Sequence, residues 1–338
     1  MKKLLYTLGL AVILLGGLRF LSYSSNEPAD NQSKQERFKE DYAIYSLPLP
    51  ETLSFAGEPV PIKDPQVRQS YDRELLVNTY WQSNMLLFLK RSGRYFPVVE
   101  PILKEHGLPE DFKYIPLIES GFTHVVSPAG AVSFWQFLKG TGREYGLEIN
   151  EAVDERYHLE KATHAACRYL KDAREELGSW TLAAASYNRG INGIQKQLER
   201  QQARNFYDLR LNPETARYLY RLLAIREIMS DPDGYGFQIK PQERYHPIPT
   251  RTLAVDTGIN NLGQWAREQG INYRILKFHN PWLRQAYLPE KAGKTYQLKI
   301  PEEGHYALQE SLKPKTKSKL SPLNRMPHSK DSLSDTAQ

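Results

Sequence analysis

Glu119 is a carboxylate placed where it could act as an acid. In the segment LPEDFKYIPLIESGF (108–122), a proline and two acids in the first turn predict the start of a helix. Helical spacing from Phe112 through Ile115 and Pro116 brings Glu119 onto the apolar stripe. A carboxyl group held against apolar side chains has a raised pKa, because burial disfavours the anion. It could then keep its proton near neutrality and serve as a general acid, for example toward a glycosidic oxygen. The pattern alone favours the simpler alternative, a Glu at a helix end that faces water.

Three segments downstream set further polar residues among small and aromatic ones. They read SPAGAVSFWQFLKGTGREYGL (127–147), ATHAACRYL (162–170) and WTLAAASYNRGING (180–193). Gln136 could place its amide in a saccharide cleft, with a solvent-facing helix position as the alternative. Tyr187 and Asn188 follow a run of alanines that lets a helix approach its neighbour closely. The Tyr187 hydroxyl could hydrogen-bond to Glu119 or to a sugar, with a core tyrosine as the alternative.

Taken together and in this order, the motifs resemble those of the lytic murein transglycosylases with a goose-type-lysozyme-like catalytic domain (glycoside hydrolase family 23). The matching elements are Glu119-Ser120, Gly130-Ala131 with Gln136, Thr141-Gly142, Tyr145-Gly146, and Tyr187-Asn188 with Gly190. The resemblance implies a mainly α, lysozyme-like catalytic domain. It also implies that Glu119 is the catalytic residue and that four others bind substrate. These four are Ser120, Gln136, Tyr187 and Asn188.

Two positions depart from the family pattern. Ser133 stands where the family usually has Gly, and Ser186 stands where it more often has Ala. A glycine permits a backbone conformation or a close approach of a sugar that a serine restricts. We therefore expect Ser133 to affect the fit of the glycan in the cleft.

Composition excludes several classes of protein and site. The 338 residues suffice for two domains with tails, and a hydrophobic content of 40% allows a sizeable core. Residues 1–25 carry a net charge of +3 and residues 311–338 carry +4, whereas the whole chain has +6, so the body between them is near neutral at −1. This argues against a nucleic-acid-binding domain. The single cysteine, Cys167, excludes an intramolecular disulfide and is expected to be a small buried residue. The histidines lack metal-ligand spacing, and we predict neither a metal nor an organic cofactor.

The N-terminal region has the pattern of an export signal. Residues 1–25 begin with two lysines and continue as an apolar run. This run is short for a membrane span, and both a cleaved signal and an uncleaved anchor over residues 4–21 are open. The lysines predict that the rest of the chain lies outside the inner membrane, in the periplasm or cell envelope. Residues 26–65, which are polar and then proline-punctuated, are predicted to be a linker.

From residue 66 to residue 237, apolar spacing predicts helices and little strand, in agreement with a mainly α domain. The predicted helices are 97–106, 109–119, 134–145, 159–177, 180–187 and 214–229. Trp135 is expected to pack in the core rather than to stack on a sugar.

Residues 245–303 are predicted to form a second, smaller unit with the order strand, helix, helix, strand. With the segment Asn280-Pro281-Trp282-Leu283, this order resembles a LysM module, a binder of glycans that contain N-acetylglucosamine. The usual Gly-Asp start is absent. Residues 304–338 are rich in Lys, Ser and Pro and are predicted to be a disordered basic tail.

The family resemblance implies a lytic transglycosylase that acts as a monomer on peptidoglycan strands. It would cleave the β-1,4 bond between N-acetylmuramic acid and N-acetylglucosamine. The usual glycosidase scheme needs a second carboxylate near the acid, and none lies in a comparable motif, the nearest being Glu110 and Asp111. One carboxyl suffices if the muramoyl 6-hydroxyl attacks and closes a 1,6-anhydro ring. The alternatives are a lysozyme-type hydrolase of the same bond and an inactive peptidoglycan-binding scaffold.

Overall fold

The computed structural model describes residues 44–306 and the single position Glu36. The expected export segment (1–25) and most of the expected basic tail (304–338) lie outside the described residues. None of the helices within the described part of the chain combines the length and the apolar character that a membrane crossing requires.

The larger domain is built from helices that pack around a common core. In chain order they are α1 (Pro65–Tyr80), α2 (Gln82–Glu105), α3 (Ile115–Ser120), α4 (Lys139–Glu144), α5 (Leu159–Leu177), α6 (Trp180–Arg189), α7 (Ile191–Gln201) and α8 (Pro213–Ser230). Helix α1 packs on α8, α2 packs on α5, and α6 contacts both α5 and α8. A 3-10 turn over Glu110–Tyr114 leads directly into α3. The predicted mainly α fold is confirmed.

Two predicted helices have different bounds in the structure. Pro97 does not begin a helix, because it lies with Pro101 inside α2. The two prolines are one turn apart, so the hydrogen bonds that they lack fall on one side of that helix. The helix predicted to start at residue 134 starts at Lys139 instead. Ser133 and Gln136 have φ values of 65° and 47°, which a right-handed helix does not admit.

Residues 53–62 correct the predicted extent of the linker. Strand β1 (Leu53–Phe55) pairs antiparallel with β2 (Glu58–Val60), and Phe55 is fully buried in the core of the larger domain. The Glu58 carboxylate accepts hydrogen bonds of 2.7 and 2.9 Å from two backbone N–H groups in the first turn of α6. The prolines that suggested a linker are tolerated here because the hairpin has only two short strands, and both are edge strands.

Two expectations about the core are confirmed. The side chain of Trp135 is fully buried, and its Nε1 donates a hydrogen bond of 2.9 Å to Oγ1 of Thr163. Cys167 is fully buried on α5, and burial raises the pKa of its thiol to about 12. Neither residue faces a cleft.

The smaller domain has the predicted order of elements. It comprises β3 (Thr250–Val255), α9 (Leu262–Glu268), α10 (Tyr273–His279) and β4 (Tyr296–Pro301). The two strands pair antiparallel along their whole length, from Thr250 opposite Pro301 to Val255 opposite Tyr296. The helices pack on each other, and α10 packs on β4. This domain lies directly against the larger one.

Candidate active site

Glu119 lies in the last turn of α3, at the open end of the predicted apolar stripe. Phe112, Ile115 and Pro116 are buried, whereas Glu119 is only partly buried. Gly121 ends the helix with a φ of 58°, and a Cβ at this position would lie 3.0 Å from the ring of Phe88. The chain therefore turns sharply just beyond the carboxylate.

Four effects set the pKa of Glu119, and burial is the largest of them. Burial raises the pKa, the negative charge of Glu214 acts in the same direction, and the net value is about 7. A hydrogen bond from Tyr218 and the positive charge of Arg221 lower this pKa in part. The acid and its anion are therefore both populated near neutral pH. A group that must first give a proton and then take one needs this balance.

Tyr218 is the partner of Glu119 that the motifs did not indicate. Its hydroxyl, buried on α8, donates a hydrogen bond of 2.6 Å to Oε1 of Glu119. One feature of the sequence relates Tyr218 to Glu214, another residue of α8 that acts on Glu119. Glu214 and Tyr218 are four residues apart in a predicted helix and so share a face. The structure brings this face of α8 to the carboxylate.

Tyr187 lies near Glu119 but directs its hydroxyl elsewhere. The hydroxyl donates a hydrogen bond of 2.8 Å to the backbone carbonyl of Trp135. Burial raises the pKa of Tyr187 well above its ordinary value, and the charge of Glu119 contributes, so the two side chains interact electrostatically. Tyr187 thus ties α6 to residues 125–137, which we call the cleft loop.

Ser120 contacts the cleft loop, and Gln136 belongs to it. The Ser120 hydroxyl lies 3.0 Å from the carbonyl oxygens of both Pro116 and Phe134. Nε2 of Gln136 donates to the carbonyl of Ser133 at 2.7 Å, with a second carbonyl, that of Val125, at 3.2 Å. Ser120 therefore links the backbone beside Glu119 to the cleft loop, and Gln136 stabilises the loop internally. Substrate binding by them stays a prediction.

Asn188 connects α6 to the start of α8. Its Nδ2 donates to Oε1 of Glu214 at 3.1 Å, and its Oδ1 accepts a hydrogen bond of 2.6 Å from the Thr215 hydroxyl. Glu214 is exposed and its charge acts on Glu119. The structure thus brings a second carboxylate near the first, which the motif spacing did not predict. Glu110 and Asp111, the nearest acids in sequence, are instead paired with Lys113 and Arg226.

Ser133 retains the backbone conformation that a glycine would favour. Its φ is 65°, its side chain is fully buried, and its Oγ lies 2.9 Å from Nδ1 of His124. Burial, and to a lesser extent Arg284, lowers the pKa of His124 to about 4, so this ring is neutral. The Ser133 side chain is directed into the protein and therefore does not itself narrow the space for a sugar. The left-handed backbone remains, at a cost of about 1–2 kcal/mol.

Left-handed backbone is concentrated around this site. Phe122, Ser133 and Gln136 have positive φ values of 54°, 65° and 47°. Such conformations are costly for residues other than glycine and persist where the surrounding contacts enforce them, often at functional sites. Here they give the chain sharp turns just after Glu119 and within the cleft loop.

A group with the donor atoms of a metal site lies elsewhere in the larger domain. Within residues 44–306, Glu105, His106 and His164 bring their ligand atoms within 4.8 Å of one another. Nε2 of His106 and Nδ1 of His164 are 2.9 Å apart, a distance that a hydrogen bond between the rings explains. This group joins the end of α2 to α5. The prediction that the candidate active site uses no metal stays a prediction.

Comparison with known proteins agrees with this arrangement. Residues 98–209 match the family model of the transglycosylase SLT domain. Residues 251–304 match the model of the soluble lytic transglycosylase C-terminal LysM-like domain.

The chain is also similar to whole proteins. It is 25% identical over 301 residues to membrane-bound lytic murein transglycosylase D of Escherichia coli, in strain K12 and in strain O6:H1. These alignments cover 86% of this chain and 64% of the relative, so the chain spans less than two thirds of the relative's length. An inactive mutant of lytic transglycosylase Slt from Pseudomonas aeruginosa matches with 18% identity and a TM-score of 0.37, over 53% of this chain and 35% of that one. The two family models and the similarity to the Escherichia coli relative confirm the predicted resemblance to the lytic transglycosylases, with an SLT-type domain at residues 98–209 and a LysM-like domain at residues 251–304.

Proposed function

We propose that this protein is a peptidoglycan lytic transglycosylase with Glu119 as its catalytic residue. The observation that carries the proposal is the carboxyl group of Glu119, whose pKa is raised to about 7 and which Tyr218 holds by a 2.6 Å hydrogen bond. The substrate would be the β-1,4 bond between N-acetylmuramic acid and N-acetylglucosamine.

The proposed reaction uses one carboxyl group twice. Protonated Glu119 gives its proton to the bridging oxygen, and the bond from that oxygen to C1 of the muramoyl sugar breaks. The positive charge at C1 is carried by an oxocarbenium-like state or by the substrate's own acetamido group. The Glu119 carboxylate then takes the proton of the muramoyl 6-hydroxyl, whose oxygen bonds to C1 and closes the 1,6-anhydro ring. Glu119 ends protonated, as it began, and the scheme consumes no cofactor.

An intramolecular attack explains why water need not take part. The 6-hydroxyl belongs to the sugar that reacts, so its attack costs little translational freedom. Effective molarities of well-oriented groups reach about 10⁵ M or more, far above the roughly 55 M of water. Tyr218 would stabilise the carboxylate that forms after the first proton transfer, since its hydroxyl can only donate to an ionised carboxylate.

A lysozyme-type hydrolase is the second candidate, and Glu214 favours it. Glu214 is exposed, is held by Asn188 and acts electrostatically on Glu119. An exposed carboxylate near the acid could position a water molecule, as in the two-carboxylate glycosidases. The two candidates differ in the chemical end that they leave on the glycan.

We further propose that the protein works in the cell envelope on peptidoglycan strands as a monomer. Support comes from the export pattern of residues 1–25, from the LysM-like domain and from the similarity to a relative that is named as membrane-bound. Residues 4–21 would anchor the protein in the inner membrane if the signal is not cleaved. The LysM-like domain would bind the glycan.

Mass spectrometry of the muropeptides released from purified sacculi tests this function. A lytic transglycosylase leaves 1,6-anhydromuramic ends, which resist borohydride reduction. Glu119→Gln should release at least about a hundredfold less product, because general acid catalysis contributes two to four decades of rate. Reducible muramic ends would instead support the hydrolase, and Glu214→Gln should then abolish the release. A wild-type protein that binds sacculi and releases nothing would be the inactive scaffold.

A further inference from the structure

The hydrophobic core of the LysM-like domain includes part of the catalytic domain. The catalytic-domain residues buried in this shared core are Val132, Ala152, Val153 and Tyr157. They pack with Trp282 and Leu283 of the smaller domain, among others. Val132 belongs to the cleft loop itself, where it bridges to both Val126 and Phe137. The smaller domain therefore completes a core to which the cleft loop contributes.

Main-chain hydrogen bonds join the two domains and fix which residues of each lie opposite each other. They involve residues 148–158 of the catalytic domain, which we call the docking segment. The N–H of Asp154 donates to the carbonyl of Trp282 at 2.9 Å, and the N–H of Arg284 donates to the carbonyl of Ala152 at 2.8 Å. Such paired bonds define which residues stand opposite each other, so the docking is specific.

Ion pairs and an aromatic contact reinforce this docking. Glu148 binds Lys291 at 3.0 Å and also binds Lys294. The Arg284 guanidinium lies 4.0 Å from the centre of the Tyr157 ring, which is a cation–π contact. Opposite charges thus face each other across the boundary at the docking segment.

Arg156 connects the docking segment to the cleft loop. Its Nε and Nη2 bind the two oxygens of Asp154 at 2.9 and 2.7 Å. Its Nη1 donates to the carbonyl of Phe137 at 3.1 Å, with the carbonyl of Gly130 at 3.3 Å. Both charged side chains are buried, with about 7% of each residue exposed. One guanidinium therefore holds the two ends of residues 130–137, and a lysine could not reproduce this fork.

The same stretch of loop contacts the groups around Glu119. The carbonyl of Phe134 lies 3.0 Å from the hydroxyl of Ser120, the next residue after the acid. The carbonyl of Trp135 accepts the hydrogen bond of Tyr187. A shift of the loop would therefore disturb the backbone beside Glu119.

We propose that Arg156 is a positioning residue through which docking of the LysM-like domain sets the conformation of the cleft loop. The domain then has a second role besides any binding of glycan, because its docking stabilises the cleft loop beside Glu119. The kinetic part of this proposal rests on the proposed function, whereas the structural part does not.

A substitution of Arg156 in the full-length protein tests the link to the loop. Arg156→Lys keeps the positive charge beside Asp154 but cannot hold both loop carbonyls. Arg143→Lys is the matched control, since Arg143 also donates to the docking segment, at the carbonyl of Ile149, and not to the loop. On soluble, peptide-free glycan fragments we expect kcat/KM to fall about tenfold or more for Arg156→Lys, mainly through kcat, as for the loss of a charged hydrogen bond. The control should change it less than about twofold, and equal effects of the two variants would overturn the proposal.

A charge exchange across the boundary tests the link to the smaller domain. Glu148→Lys and Lys294→Glu should each increase amide hydrogen exchange both at residues 282–284 and in the cleft loop. The double variant restores opposite charges between positions 148 and 294, although Lys291 and Glu155 then face like charges. It should therefore reverse both increases in part, which also excludes simple misfolding. Increased exchange at residues 282–284 with an unchanged cleft loop would overturn the proposal. Hydrogen exchange needs no turnover, so an inactive wild-type protein would refute the proposed function and still leave this test decisive.

Discussion

Replacing Tyr218 by Phe removes one oxygen atom from the candidate active site. That oxygen is the donor of the 2.6 Å hydrogen bond to Oε1 of Glu119, and the aromatic ring stays in its place on α8. Because the bond favours the ionised carboxylate, its loss should raise the pKa of Glu119 above its present value of about 7.

The size of the effect follows from the strength of the bond. A hydrogen bond to a charged group contributes about 1.5–3 kcal/mol, and one pKa unit corresponds to about 1.36 kcal/mol. Glu119 is partly open to water, which can replace some of the lost donation. We therefore expect an increase of about one pKa unit. Glu119 must be protonated to act as the acid, so the rate falls as the pH rises through its pKa. In Tyr218→Phe this fall should move from about pH 7 to about pH 8.

The assay is the pH dependence of the initial rate of glycan release between pH 5 and pH 9. Tyr220→Phe is the control, because Tyr220 is buried on the same helix and contributes no effect to the pKa of Glu119. Circular dichroism checks that both variants are folded. An alkaline limb that stays in place or moves to lower pH would show that Tyr218 does not stabilise the Glu119 carboxylate.

Two other substitutions have opposite expected consequences for activity. Glu119→Gln should abolish glycan release and yet stabilise the fold by up to about 3 kcal/mol above pH 7. The pKa of Glu119 is raised from 4.5 to about 7, so the wild-type protein loses this stability as the pH rises from 4.5 to about 7, where the unfolded chain ionises and the folded one keeps its proton. Urea unfolding at pH 4 and pH 9 measures this, and an equal gain at both pH values would contradict it. Ser133→Gly should change the free energy of unfolding by less than about 1 kcal/mol, since relief of the left-handed backbone offsets the lost hydrogen bond to His124. Its glycan release should be unchanged or faster, and a marked loss would show that the bond to His124 supports the cleft.

Local patterns were enough to place Glu119 on an apolar stripe near a helix end, whereas its proposed role as the acid rested on the resemblance to the family. Phe112, Ile115 and Glu119 obey one helical spacing, and the structure buries the first two and leaves the third at the open end. The raised pKa of Glu119 follows from that placement, since burial is its largest cause. The order of elements in the LysM-like domain was predictable for a similar reason, because alternation and helical spacing are local signals.

The partners of Glu119 were not predictable, because distant packing selects them. Tyr218 is 99 residues away along the chain and reaches the acid only because α8 packs beside α3. The prediction that a helix starts at residue 134 was wrong for another reason. Ser133 and Gln136 have apolar neighbours at helical spacing, but tertiary contacts hold them at positive φ. The β1–β2 hairpin was hidden by its prolines, which are typical of linkers and also occur at sheet edges.

A pKa near 7 for Glu119 is the net result of opposing effects, of which burial is the largest. Burial and Glu214 favour the protonated carboxyl group, which the first step of the proposed reaction needs. Tyr218 and Arg221 favour the carboxylate, which the second step of the proposed reaction needs. Arg221 is itself held 3.4 Å from Glu74, a carboxylate that is almost fully buried on α1. The packing of α1 against α8 therefore contributes to the pKa of Glu119, because it holds a positive charge that opposes the larger effect of burial.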